Sequence, residues 1–148
     1  MKVKAVPEGF HTLTPYFSVR EATRYVEFLK LAFGAREVFV AKFPDGSLLS
    51  AEVQVGDSKV VIGEMDTDDK NVLRSSLFMY VEDADAVFKK AVQAGAKSLQ
   101  KPEDQFWGDR TGVLEDIAGN QWWIATHLED VSPEEMERRA EGWRAASS

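Results

Sequence analysis

The chain repeats itself. Thr14-Pro-Tyr-Phe-Ser-Val19 and Ser76-Leu-Phe-Met-Tyr-Val81 open two apolar, strand-like runs separated by 76 − 14 = 62 positions. The same spacing separates Asp45-Gly46 from Trp107-Gly108 and Val60-Val61-Ile62 from Trp122-Trp123-Ile124, while Gly34-Ala35 and Gly95-Ala96 match one residue short. Self-similarity at one register restricts the chain to two copies of one supersecondary unit sharing one core.

The content of the unit follows from periodicity. Ala22, Tyr25, Val26, Leu29, Ala32 and Phe33 fall at helical spacing within 21–33, and Gly34 supplies a left-handed stop. Ala84, Val87, Phe88, Ala91 and Val92 repeat the pattern, opened by Asp83 as N-cap and closed by Gly95. Strand patterns are expected at 14–19, 38–43, 48–55 and 59–64, and again at 76–81, 96–100, 111–115 and 121–126. Asp45-Gly46 and Gly56-Asp57 mark hairpin turns. Each half therefore reads βαβββ. Ser132-Pro133-Glu134-Glu135 starts a third helix by a capping box, running to about residue 143. The organisation is one α+β domain over 1–148, with modules at about 12–65 and 74–127 and a helical extension at about 132–143.

Composition narrows the partners. The 148 residues carry a net charge of −7 and no cysteine. Lys89-Lys90 and Arg138-Arg139 lie on helical faces, so no basic stripe exists to displace counterions from nucleic acid. No apolar run reaches the roughly 18 residues a membrane helix needs, and no signal-peptide core follows the N-terminus. Thiolate metal sites and thiol nucleophiles are excluded, and a cytoplasmic location is expected.

Alternation assigns strand faces. Pro15, Phe17, Val19, Leu77, Met79, Val81, Trp122 and Ile124 should lie under the helices. Thr14, Tyr16, Ser18, Ser76, Phe78, Tyr80, Gln121 and Trp123 should lie opposite, with Lys59 and Val61 as repeat mates of the last two. At the fixed spacing, Ser50 and Glu52 pair with Gly112 and Leu114, and Arg110 extends that second row. A face mixing aromatic rings, hydroxyls, an acid and a base reads as a cavity wall.

The fragments Phe-Gly-Ala (33–35), Asp-Gly (45–46), Ser-Ala-Glu (50–52), Phe-Trp-Gly-Asp-Arg (106–110) and Glu-Asp-Ile-Ala-Gly-Asn (115–120) together resemble the vicinal-oxygen-chelate superfamily. Within it, the likeness is to glyoxalase/bleomycin-resistance proteins of the PhnB-like branch, and it spans about 14–127. The resemblance implies that the two modules form a curved eight-stranded mixed sheet around a ligand cavity, in a chain that pairs as a homodimer. It also implies where a metal would sit. Metal-dependent relatives carry His or Glu at four places, which here read Thr14, Val61, Ser76 and Trp123. Valine and tryptophan offer no lone pair, and neutral hydroxyls are weak ligands, so neither metal nor other cofactor is expected.

The expected ligand contacts are Tyr16, Glu52, Phe78, Tyr80, Arg110 and Trp123 around one cavity, with Trp107 at its rim. Glu52 could shuttle a proton among aromatic neighbours, or bridge Arg110 without reacting. Arg110 and Trp107 could grip an anionic, planar ligand, or order their own loop beside Asp109. Trp123 could contact a ligand or simply fill the cavity. His11 and His127 flank the outermost strands, outside the cavity rows. The leading reading is a metal-free protein that binds a small aromatic or anionic molecule. The alternative is a vicinal-oxygen-chelate enzyme of lyase, isomerase or dioxygenase type, metal-dependent or using Glu52 or Tyr80.

Overall fold

The repeated patterns become repeated elements. A computed structural model describes residues 2–65 and 73–147. Module one comprises β1 (Tyr16–Val19), α1 (Ala22–Phe33), β2 (Arg36–Lys42), β3 (Leu48–Val55) and β4 (Ser58–Glu64). Module two comprises β5 (Ser76–Tyr80), α2 (Ala84–Gln93), β6 (Lys97–Asp104), β7 (Asp109–Glu115) and β8 (Gln121–His127), followed by α3 (Pro133–Ser147). The fold is α+β with two βαβββ modules and a C-terminal helix. No helix among the described residues is long and apolar enough to cross a membrane.

The starts of β1, β2 and β7 move by two residues from their expected places, and the ends of β6 and α3 move further. β6 runs past Gln100 to Asp104, and its register slips between Gln100 and Glu103 around Pro102. As the outer strand of its sheet, β6 tolerates a residue that cannot donate to a ladder. α3 continues beyond Gly142 to Ser147, supported by Glu135–Arg139 and Glu141–Arg144 pairs along its surface. Its start is as expected, with the Glu135 amide donating to Ser132 Oγ at 3.2 Å.

The repeat reaches individual hydrogen bonds. The first amide of α1, at Ala22, donates to Glu64 Oε1 at 3.1 Å, and that of α2, at Ala84, donates to Thr126 Oγ1 at 2.8 Å. Donors and acceptors are both repeat mates, since 84 − 22 and 126 − 64 each equal 62. In each module the last strand therefore caps the helix that its own sheet carries.

The strands form two four-stranded sheets, ordered β1-β4-β3-β2 and β5-β8-β7-β6. β1 pairs with β4 and β5 with β8 in parallel, and the other pairs are antiparallel. Among the described residues no ladder joins the sheets, so the continuous eight-stranded sheet is not made within one chain. The cause lies in the seam. The modules meet through their helix-bearing faces, with Trp122 against Phe17 at 5.7 Å and Phe33 at 4.8 Å between ring centroids. Phe17, Tyr25, Leu29, Phe88, Leu114, Trp122 and Ile124 share one buried cluster. At about 25 cal/mol per Å² of apolar surface, this shared core is the main reason two small modules hold together. The opposite faces of the sheets consequently turn away from each other.

A correction to the expected faces follows from β7. Ser50 pairs with Gly63 and Thr111 with Ala125, so β3 and β7 correspond at 111 − 50 = 61, not 62. Module two has one more residue in the turn before its last strand. A one-residue slip exchanges the two faces of a strand. The mates of Ser50 and Glu52 are thus Thr111 and Val113. Gly112, Leu114 and Arg110 belong to the helix side: a Cβ on Gly112 would strike the Phe88 ring of α2.

Candidate functional site

β5 and β8 carry the aromatic part of the outer face of the second sheet. Tyr80 aligns with Ala125 on β8 and, across it, with Thr111 on β7. Phe78 aligns with Trp123. Phe78 lies 5.1 Å from Tyr80 with planes tilted by 52°, and 5.9 Å from Trp123 in a near-parallel stack of 16°. Phe78 and Tyr80 remain 46% and 62% exposed. Exposed rings this close together form an apolar patch on the surface of an acidic protein.

Asp109 organises the polar end of that face. It is 2% exposed, and its Oδ2 accepts hydrogen bonds from Tyr80 Oη at 2.8 Å and Trp107 Nε1 at 3.0 Å. Its Oδ1 lies 2.7 Å from His127 Nδ1, while His127 Nε2 lies 2.7 Å from Asp130. To reach Asp109, the Tyr80 side chain crosses the small Ala125, which leaves room for the ring. Donation to Asp109, followed by burial and the carboxylate charge, raises the Tyr80 pKa and keeps the phenol protonated. Hydrogen bonds to Asp109 and then Asp130 raise the His127 pKa above the ordinary value near 6.5.

That shift gives a prediction with a sign. Because the folded value lies above the unfolded one, the stabilisation from His127 is fully present below about 6.5 and fades as pH rises through the folded value. The gap in melting temperature between the native chain and His127→Gln should narrow as pH goes from about 6 to about 9. A gap that stays constant would show that the imidazole charge contributes nothing.

The first sheet has its own outer face. Its central row runs Tyr16, Val61, Glu52 and Phe39 across β1, β4, β3 and β2. Tyr16 lies over Gly63, where any Cβ would collide with its hydroxyl. Glycine is required there because the ring occupies the space of the missing side chain.

The residues expected around one cavity therefore separate into three places. Phe78, Tyr80, Trp123 and Trp107 come together on the second sheet, and Tyr16 and Glu52 on the first. Arg110 joins neither. Its guanidinium binds Asp85 at the start of α2 at 2.9 Å and Asp104 on β6 at 3.0 Å, so the bridge to Glu52 is not formed. The one-residue slip in β7 is the physical reason. The same slip hid that Asp109 shares the face of Trp123, whereas His127 lies on that face by alternation along β8 and was set aside only because it stands at the strand end. The adjacent Trp107-Gly108-Asp109 was the available signal.

A concavity of about 580 Å³ opens at the seam, lined by Phe33, the 55–58 turn, Leu77, Phe78, Met79, Tyr80, Val87 and Trp122. It runs along β5, with Phe78 and Tyr80 of the aromatic face among its lining residues and Trp123 outside it.

The metal positions implied by the resemblance do not fit a divalent ion. Val61 and Trp123 supply no donor, and the Trp123 ring is stacked on Phe78. Ser76 Oγ sits 3.5 Å from Gln121 Oε1, and Thr14 is a second neutral hydroxyl. Among the described residues no group of three or more His, Asp or Glu could hold a metal elsewhere. Elemental analysis of dialysed protein should find no stoichiometric nickel, zinc, iron or manganese. About one equivalent per chain surviving dialysis would contradict this donor chemistry.

Comparison with known proteins agrees with the fold. The model of the Glyoxalase/Bleomycin resistance protein/Dioxygenase superfamily matches residues 10–124. An uncharacterized protein of Mycobacterium tuberculosis is 30% identical over 135 residues, covering 84% of this chain and 79% of that protein. Among solved structures, TioX from Micromonospora sp. ML1 gives a TM-score of 0.65 at 20% identity, covering 82% of this chain and 100% of TioX. The PhnB protein from Bacillus cereus gives 0.66 at 16% identity, covering 78% and 99%. At such identities the structural likeness speaks for the fold.

Proposed function

The chain belongs to the glyoxalase/bleomycin resistance protein/dioxygenase superfamily, and from that premise we propose that it binds a small aromatic molecule against the outer faces of its sheets, without the metal its metal-dependent relatives use. The observation that carries this reading is the cluster of exposed Phe78 and Tyr80 with half-buried Trp123, backed by the buried Asp109. Aromatic rings offer large apolar area at little entropic cost, and a planar ligand stacks on them. Support for an anionic ligand rested on Arg110, whose charge is spent on Asp85 and Asp104. Binding is favoured over catalysis because Asp109 holds Tyr80 protonated, which removes it as a general base near neutral pH.

A homodimer completes the cavity in this proposal. β1 and β5 are the outer strands of their sheets, and both carry exposed aromatic residues. Setting β1 of one copy beside β5 of another covers both edges and creates the eight-stranded sheet that the family resemblance implies. It also brings Tyr16 and Glu52 of one copy toward Phe78, Tyr80 and Trp123 of the other. A cytoplasmic location is part of the proposal, and a chain that forms no disulfide is compatible with it.

Two measurements test the proposal. Light scattering at micromolar concentration should give twice the 16.6 kDa chain mass, and the single-chain value would refute the shared cavity. Mass spectrometry of small molecules carried by the purified protein should detect an aromatic compound that Trp123→Leu no longer retains. Equal retention by both proteins would move the site elsewhere.

A further inference from the structure

The groups on the aromatic face are electron-rich, each for its own reason. The Tyr80 proton is committed to Asp109 at 2.8 Å, so its oxygen meets a ligand with lone pairs alone. Phe78 and Trp123 stack near-parallel and Tyr80 tilts against them, giving an angled wall of π-systems. The Trp107 N–H, which could have served a ligand acceptor, also points to Asp109. In the proposed dimer, the central row of the first sheet of the other copy contributes its Glu52 carboxylate.

Three of the nearby cations are engaged, while Arg36 and Lys97 stand on the outer strands β2 and β6, in register with Gln54 and Glu115. Arg110 lies on the helix side of β7 between two carboxylates. His127 has one ring nitrogen on Asp109 and the other on Asp130. The Lys59 ammonium donates to the Glu8 carbonyl at 3.2 Å and lies 4.6 Å from the Phe10 ring centroid. The chain as a whole carries a charge of −7.

We propose that this face recognises an organic cation, specifically an alkylated ammonium group carried on or beside an aromatic ring. The inference rests on the outer face being the ligand surface and adds the sign of the ligand charge. An alkylated ammonium needs no directed acceptor; it is attracted by ring quadrupoles and by the Tyr80 oxygen. An anion would meet π-faces and the Tyr80 lone pairs, with no cationic donor among Phe78, Tyr80 and Trp123 to receive it.

The test uses three probes of similar size: phenyltrimethylammonium, its neutral isostere tert-butylbenzene, and benzoate. Binding is followed by tryptophan fluorescence and calorimetry on the full chain. Phenyltrimethylammonium should bind at least about fivefold more tightly than tert-butylbenzene, with benzoate weakest. Trp123→Leu and Phe78→Leu should each reduce binding of the cation about fivefold or more, with cooperative unfolding retained. If one variant fails to fold, the other carries the test. Equal or tighter binding of tert-butylbenzene or benzoate, lost in the same variants, overturns the charge assignment and leaves the outer face as the ligand surface. If none of the three probes binds at millimolar concentration, both readings fall.

Discussion

Replacing Asp116 with alanine should destabilise the protein by about 3–5 kcal/mol in urea unfolding, because it removes the polar joint between the modules. Asp116 is 5% exposed and accepts four hydrogen bonds. Its Oδ2 receives Tyr25 Oη at 2.6 Å, from α1 of the first module, and Trp122 Nε1 at 2.9 Å. Its Oδ1 receives the amides of Ala118 and Asn120, each at 2.9 Å, which fold the turn before β8. Burial first, then the neighbouring carboxylate, pushes the Tyr25 pKa far above its usual value, so this phenol remains a donor at any pH the fold survives. Alanine strands two buried side-chain donors and loosens a turn at the same time. A loss below about 1 kcal/mol would mean that water satisfies those donors and that the seam is held by apolar packing alone.

The second large effect separates two adjacent tryptophans. Trp122→Ala should cost about 3–5 kcal/mol, the usual range for emptying a large aromatic site in a packed core. Trp122 is 2% exposed, packs on Phe17 and Phe33, and donates to Asp116. Trp123→Leu should cost much less, about 1 kcal/mol or under, because its ring lies on the outer face and contacts Phe78. Thermal and urea unfolding of both variants give the comparison. Similar losses for the two would mean that the outer face is itself part of the stabilising core.

Much of this fold was legible in the sequence, and the reason is the repeat. Offsets between Thr14 and Ser76, or Val61 and Trp123, survive folding because paired strands must keep their register to keep their faces. The rings on β5 and β8 were found from that spacing. What could not be read was the length of one turn. The residues 115–121 span one more position than their counterparts 54–59, which shifted β7 and sent Arg110 to the helix side. The same slip concealed Asp109, whose role depends on Tyr80 arriving across Ala125 from a distant strand. Nor could alternation reveal that the two sheets meet through their helices. Face assignment says which residues share a surface, but not which surfaces meet, and Phe17 against Trp122 settles that in three dimensions.

The outer aromatic face and the seam cleft are lined by neighbouring tryptophans, Trp123 and Trp122, and this permits a direct choice between them. Fluorine NMR of 5-fluorotryptophan-labelled protein should resolve the indoles as phenyltrimethylammonium is added. If ligand binds the outer face, the Trp123 resonance moves and that of Trp122 stays where it was. Movement of Trp122 with Trp123 unchanged would put the ligand in the seam and contradict the outer face as the binding surface.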